Sequence, residues 1–121
     1  MSPPGFRPTA ILIHPDVDAD YAALEEAAAA GVKPQQGIWK RLEAARKRIK
    51  VDGQWGEVIP RNSIPAYIRE RYNADNLYCI DLKDDVRCFY TIDAKDVVLL
   101  DLVDHDDYDK WFPPKGQRAR C

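Results

Sequence analysis

The sequence predicts an α+β domain: an N-terminal strand, an antiparallel helix hairpin, then a three-stranded antiparallel meander with a short C-terminal helix. Three observations predict it. A lone apolar run at residues 9–14 is stopped by Pro15. Two stretches between residues 19 and 50 repeat alanine or larger apolar residues at spacings of three and four, the helical period. Three apolar runs between residues 76 and 103 are joined by two short acidic turns, the pattern of consecutive hairpins.

At 121 residues the chain is long enough for a single core but not for two. One domain is expected over residues 9–112, with a flexible Pro/Gly-rich start at 1–8 and a flexible tail at 113–121. A composition of 45% hydrophobic and 31% charged residues is that of an ordinary soluble globular protein. No apolar run reaches the roughly 18 residues of a membrane span. Residues 1–5 lack the basic-then-apolar pattern of a secretory signal. The three cysteines, Cys79, Cys88 and Cys121, show no metal-ligand spacing, so free thiols in a reducing cytoplasm are the expectation.

A net charge of −2 conceals an asymmetry. Residues 33–72 carry ten basic and four acidic side chains, whereas residues 73–112 carry four basic and eleven acidic ones. A basic stripe recruits nucleic acid in some proteins and is a solvated helix face in most.

The elements follow in order. The first helix begins near Ala19, with Asp16 or Asp18 as its cap, and runs through Tyr21, Leu24 and the alanine tract to Ala30. Gly31 ends it, at the position where a left-handed residue closes a helix. The second helix, 36–50, turns Ile38, Leu42, Ala45 and Ile49 to one side and leaves Lys40, Arg41, Lys47, Arg48 and Lys50 mainly off that stripe. Residues 51–76 are irregular: Asp52-Gly53 makes a turn, and Pro60 and Pro65 interrupt any long element. Ser63 is a candidate cap for a short helix through Tyr67, Ile68 and Tyr72, with Pro65 in its first turn. Trp55 and Tyr67 are expected to pack this loop onto the body.

Side-chain parity assigns the faces of the meander, because a one-residue slip moves every side chain to the other face. A turn at residues 83–85 pairs Leu82 with Val86 and Ile80 with Cys88. One face then collects Tyr78, Ile80, Leu82, Val86, Cys88, Tyr90 and Ile92, all suited to a core. Pairing Tyr90 with Leu100 and Cys88 with Leu102 in the second hairpin puts Leu77, Cys79, Asp81, Arg87, Phe89, Thr91, Leu99, Asp101 and Val103 on the other face. His105 shares that parity. Arg87 then lies opposite Asp81 and near Asp101, with His105 diagonal to it at roughly 7–8 Å. That gap suits a phosphate held by both side chains. It suits equally a cross-strand ion pair beside a strand-end histidine, and parity alone leaves both readings open.

Other chemistry has weaker support. His105 clusters with Asp104, Asp106 and Asp107, but consecutive acids at this point fit the cap of a short helix through Tyr108 and Trp111 better than a metal site. His14 before Pro15 fits a strand end. Phosphate-cradling glycine loops, nucleophile elbows and Cys–His pairs are absent from the sequence. No cofactor or metal is expected, and Cys79 and Cys88, on opposite faces, are not expected to form a disulfide.

The order of elements resembles the RelE/ParE superfamily of type II toxins. The resemblance is carried by Ile64-Pro65, by Tyr72-Asn73-Ala74-Asp75-Asn76-Leu77-Tyr78, by Val86-Arg87-Cys88-Phe89-Tyr90-Thr91-Ile92, and by the run from Val98 through His105 and Tyr108 to Trp111-Phe112. It covers roughly residues 9–112. It implies a metal-independent, ribosome-dependent endoribonuclease that cleaves mRNA, inhibits translation and is neutralised by an antitoxin protein. It implies catalytic roles for Arg87 (charge on the phosphorus oxygens) and for His105 and Tyr108 (proton transfer or positioning). Lys40, Arg41, Lys47 and Arg48 would contact ribosomal RNA through phosphates. The sequence departs from the family in being slightly acidic where such toxins are strongly basic. Gyrase-directed relatives and an inactive interaction module on the same fold are the alternatives the resemblance allows.

Overall fold

The computed structural model describes residues 6–83 and 86–104. Their order is β1 (Ala10–Ile13), a 3-10 turn (Pro15–Val17), α1 (Asp18–Ala29), α2 (Lys33–Val51), β2 (Glu57–Ile59), a second 3-10 turn (Arg61–Ser63), α3 (Ala66–Tyr72), β3 (Leu77–Asp81), β4 (Arg87–Asp93) and β5 (Asp96–Val103). The architecture is α+β, with one five-stranded sheet in the order β1-β5-β4-β3-β2. β1 runs parallel to β5, and every other neighbouring pair is antiparallel. Among the described residues no helix is long and apolar enough to cross a membrane.

The helix hairpin forms as its sequence dictates. Gly31 sits at φ +86°, and its N–H and that of Val32 bond back to the carbonyls of Ala28 and Ala27, closing α1 in a Schellman motif. Two residues after Gly31, α2 starts at Lys33 with Pro34 in its first turn, where no N–H is missed. Ile38, Leu42, Ala45 and Ile49 are all buried on the sheet. Burial of each large member stabilises by about 1.5–3 kcal/mol. No side chain caps α1: its N-cap is Val17, while Asp18 and Asp20 stand in the first turn and favour the positive end of the helix dipole.

Two cores lie on opposite faces. On face one, Val17, Tyr21 and the α2 stripe meet Tyr78, Ile80, Leu82, Cys88, Tyr90, Val97 and Leu99. On face two, Ile64, Ile68 and Ala74 cover Ile59, Leu77, Cys79, Phe89, Leu100 and Val103 of the sheet. The first hairpin has the expected register, with Ile80 opposite Cys88 and Asp81 opposite Arg87.

Several expectations are corrected. The sheet has five strands rather than four, because Glu57–Ile59, within the stretch read as irregular, pairs with β3. Ser63 caps nothing; α3 starts after Pro65, which has no capping side chain. Trp55 and Tyr67 are exposed rather than packed down. The second hairpin holds its expected register only in part. Cys88 faces Leu102, but Tyr90 faces Leu99 rather than Leu100. β5 therefore sets two residues, Leu100 and Asp101, against the single Phe89, which is a β-bulge. The extra residue moves Leu99 to face one and Leu100 to face two. Cys79 is disulfide-bonded, contrary to the expectation of free thiols, while Cys88 is free and buried. The expected C-terminal helix lies outside the described residues.

Asn76 marks where the β3–β4 ladder begins. Its side-chain amide donates to the Ile92 carbonyl at 2.9 Å and accepts from the Ile92 N–H at 2.8 Å, standing in for a strand residue. The buried Thr91 hydroxyl donates to the Asn76 carbonyl at 2.7 Å and so joins the same network. On face one, the hydroxyl of Tyr90 from the central strand β4 donates to the Gly53 carbonyl (2.9 Å) and accepts from the Gly56 N–H (2.8 Å) in the loop between α2 and β2. A Cβ on Gly56 would stand 2.7 Å from the Tyr90 ring, so glycine is needed for that close approach.

Candidate functional site

Arg87 opens β4, half-buried, on face two between Asp81 of β3 and Val103 of β5. Parity also places Asp101 on this face, diagonal to Arg87 and thus at roughly 7–8 Å by sheet geometry. His105 and Tyr108, the other two expected catalytic residues, lie outside the described residues. Lys40, Arg41, Lys47 and Arg48 are all exposed on α2, opposite its buried stripe. The expected RNA-contacting set is therefore presented to solvent as a cationic face, on the other side of the sheet from Arg87.

A polar corner is built around Asp101, next to the end of β1. β1 pairs with β5 only as far as Leu99, so the second half of β5 is left to other partners. The buried Tyr21 takes the first of these positions: its hydroxyl donates to the Leu100 carbonyl at 2.5 Å and sits 3.3 Å from Cys88 Sγ. Burial pushes the Tyr21 hydroxyl well above its usual range and the Cys88 thiol up to about 12, so both stay neutral in the core.

Asp101 itself is only 8% exposed. Its Oδ1 accepts from the Tyr72 hydroxyl at 2.5 Å, and Arg71 Nη1 stands 3.6 Å from the same oxygen. Its Oδ2 is buried with no hydrogen bond. Burial, then the hydrogen bond to Asp101, raise the Tyr72 hydroxyl far above its ordinary pKa, which fixes it as a donor. Arg71 also reaches Asp16 Oδ2 at 3.5 Å and donates to the Tyr67 hydroxyl. Its guanidinium lies 5.1 Å from the Tyr72 ring centre and 5.6 Å from that of Tyr67. His14 completes the corner, edge-on to Tyr72 at 4.7 Å, with Nδ1 accepting from the Asp16 N–H at 3.1 Å.

Chemically, this corner is a clamp. Two carboxylates match the charge of Arg71, and two aromatic rings flank it, so it joins α3, the 3-10 turn after β1, and β5. No family model matches this sequence, and neither the curated proteins nor the solved structures yield a match. Function rests on the residues. Among the described residues no group of three His, Cys, Asp or Glu side chains is arranged to hold a metal ion.

The sequence singles out Arg87 and the α2 cations as candidates but does not point to the joint role of Arg71, Tyr72 and Tyr67. Their spacing does carry a signal, since residues 67 and 71 share a helix face. What it lacks is Asp101, which is some thirty residues further along the chain and meets them only through the tertiary fold.

Proposed function

We propose that the protein is a RelE-like type II toxin, a metal-independent, ribosome-dependent endoribonuclease that cleaves mRNA and is neutralised by an antitoxin. The observation that carries this reading is the position of Arg87, a half-buried cation at the start of a central strand, paired with Val103. In the chain His105 follows Val103 by two residues and Tyr108 by five. Arg87 stabilises charge on the non-bridging phosphate oxygens. A base, His105 or Tyr108, takes the 2′-hydroxyl proton as the 2′ oxygen attacks phosphorus; the bond to the 5′ oxygen breaks and that oxygen receives a proton from the acid. The α2 cations Lys40, Arg41, Lys47 and Arg48 hold ribosomal RNA by its phosphates.

Induced expression should arrest growth and leave mRNA cuts positioned by codon. Arg87→Ala should lower cleavage by about 10²–10³-fold, the usual effect of removing one charge-stabilising group. Growth arrest by Arg87→Ala as complete as by the unmodified protein would remove Arg87 from catalysis. The eleven acidic side chains of residues 73–112 favour a second reading, a non-catalytic interaction module on this fold. It predicts harmless expression and no RNA cleavage. A gyrase-directed toxin would instead arrest growth with damaged DNA and intact mRNA.

A further inference from the structure

We propose that the outer edge of β1 and the adjoining groove under α2 bind an extended acidic segment of a partner protein, added to the sheet as a further strand. β1 is an edge strand whose only strand neighbour among the described residues is β5. Such an edge presents a row of backbone N–H and C=O groups that template another strand. Beside it runs a groove of about 340 Å³ between residues 8–11 and one side of α2. Arg46, Lys47 and Lys50 line it from the helix, against the single carboxylate of Glu43, which pairs with Arg46 at 3.8 Å.

The two faces of the edge specify the incoming strand. Ile11 and Ile13 pack into the core on face one, the side of α2. Leu12 points the other way and is 47% exposed, beyond the cover that α3 gives face two. A strand beside β1 therefore has alternate side chains under the α2 cations and beside Leu12. Acidic residues complement the first set and apolar residues the second.

A second copy of this chain is a poorer occupant. Antiparallel pairing of two β1 strands puts both α2 helices on one face of the joined sheet and brings their cation rows together, which repels. A nucleic acid complements the cations but makes no use of the strand edge or of Leu12. The inference stands on the sheet edge and holds whether or not the protein cuts RNA.

The test uses a capped octapeptide of alternating glutamate and valine, a block peptide of the same composition, and a single-stranded RNA octamer, each added to the full chain. Backbone amide exchange and chemical shifts at Ala10–Ile13 report the site. The alternating peptide should protect amides of β1 and bind at least about tenfold more tightly than the block peptide, which cannot present its charges to one face. Lys47→Glu with Lys50→Glu should weaken it about tenfold or more, and the milder Lys47→Gln with Lys50→Gln should weaken it less. Arg41→Glu with Arg48→Glu makes the same charge change outside the groove and should leave peptide binding within about twofold. The proposal is overturned if both peptides bind alike, if both charge-reversed pairs weaken binding alike, or if only the RNA perturbs the groove.

Discussion

The two faces of the sheet are packed by different means. Face one lies under α1 and α2, of twelve and nineteen residues, and its interface is a continuous apolar surface. Two of the buried hydroxyls there, those of Tyr21 and Tyr90, are closed by backbone groups. Face two lies under the seven-residue α3 and the chain leading into it. So short a cover leaves a corner, and the corner is filled by charged and phenolic groups around Asp101. Long periodic helices thus build the stable wall of this molecule, and short cover on the opposite wall leaves room for polar chemistry.

The largest expected effect tests the first half of that contrast. Leu42→Ala removes a side chain with no exposure from the middle of the α2 stripe. It should cost about 2–5 kcal/mol, read from the urea midpoint at unchanged slope. Ile68→Ala on α3 starts equally buried but should cost less, because a seven-residue helix shifts more readily into the space left behind. A loss for Ile68→Ala equal to that for Leu42→Ala would show face two to be as rigid as face one.

The same contrast explains what the sequence made legible. Ile38, Leu42, Ala45 and Ile49 announce their helix face by spacing, and all four are buried as expected. Tyr78, Ile80, Leu82, Cys88 and Tyr90 announce theirs because a one-residue slip would bring Asp81 onto the core face. The run Val97-Val98-Leu99-Leu100 has no such marker, since every residue in it suits a core. Both registers fit its pattern, and the bulge that selects between them is fixed by packing on the two faces at once. Glu57–Ile59 is too short to show a period and is bounded by Gly56 and Pro60, so β2 was invisible. The Asp101 corner is hidden for a different reason: Asp101 takes its expected face, but its partners Tyr72 and Arg71, and the Asp16 and Tyr67 that hold Arg71, are far from it in the chain.

An intermediate effect addresses that corner. Tyr72→Phe deletes the hydroxyl that donates to Asp101 Oδ1 and leaves a buried carboxylate with the more distant Arg71. The expected cost is about 1–3 kcal/mol, since a buried acceptor is stripped of its donor. Asp101→Asn in the Tyr72→Phe background should add less than it does alone, because the two share one bond. Strict additivity in that double-mutant cycle would mean that the hydroxyl and the carboxylate stabilise face two separately and that the corner is no clamp.

The smallest effect concerns the turn that feeds both faces. Ala94 sits at φ +55°, a left-handed conformation that is strained by about 1–2 kcal/mol for a residue bearing a Cβ. Ala94→Gly relieves the strain but adds freedom to the unfolded chain, at a cost of about 0.5–1 kcal/mol, so a net gain of about 0.5 kcal/mol is expected. Where the gain falls is the informative part. The turn governs the register from Asp93 opposite Asp96 up to Tyr90 opposite Leu99; beyond it the bulge has already reset the pairing. Amide exchange should therefore slow in the stretch next to the turn and stay unchanged at Cys88 and Leu102. Slowing that continued past the bulge would mean that the turn, rather than the packing of the two faces, holds Asp101 in its corner.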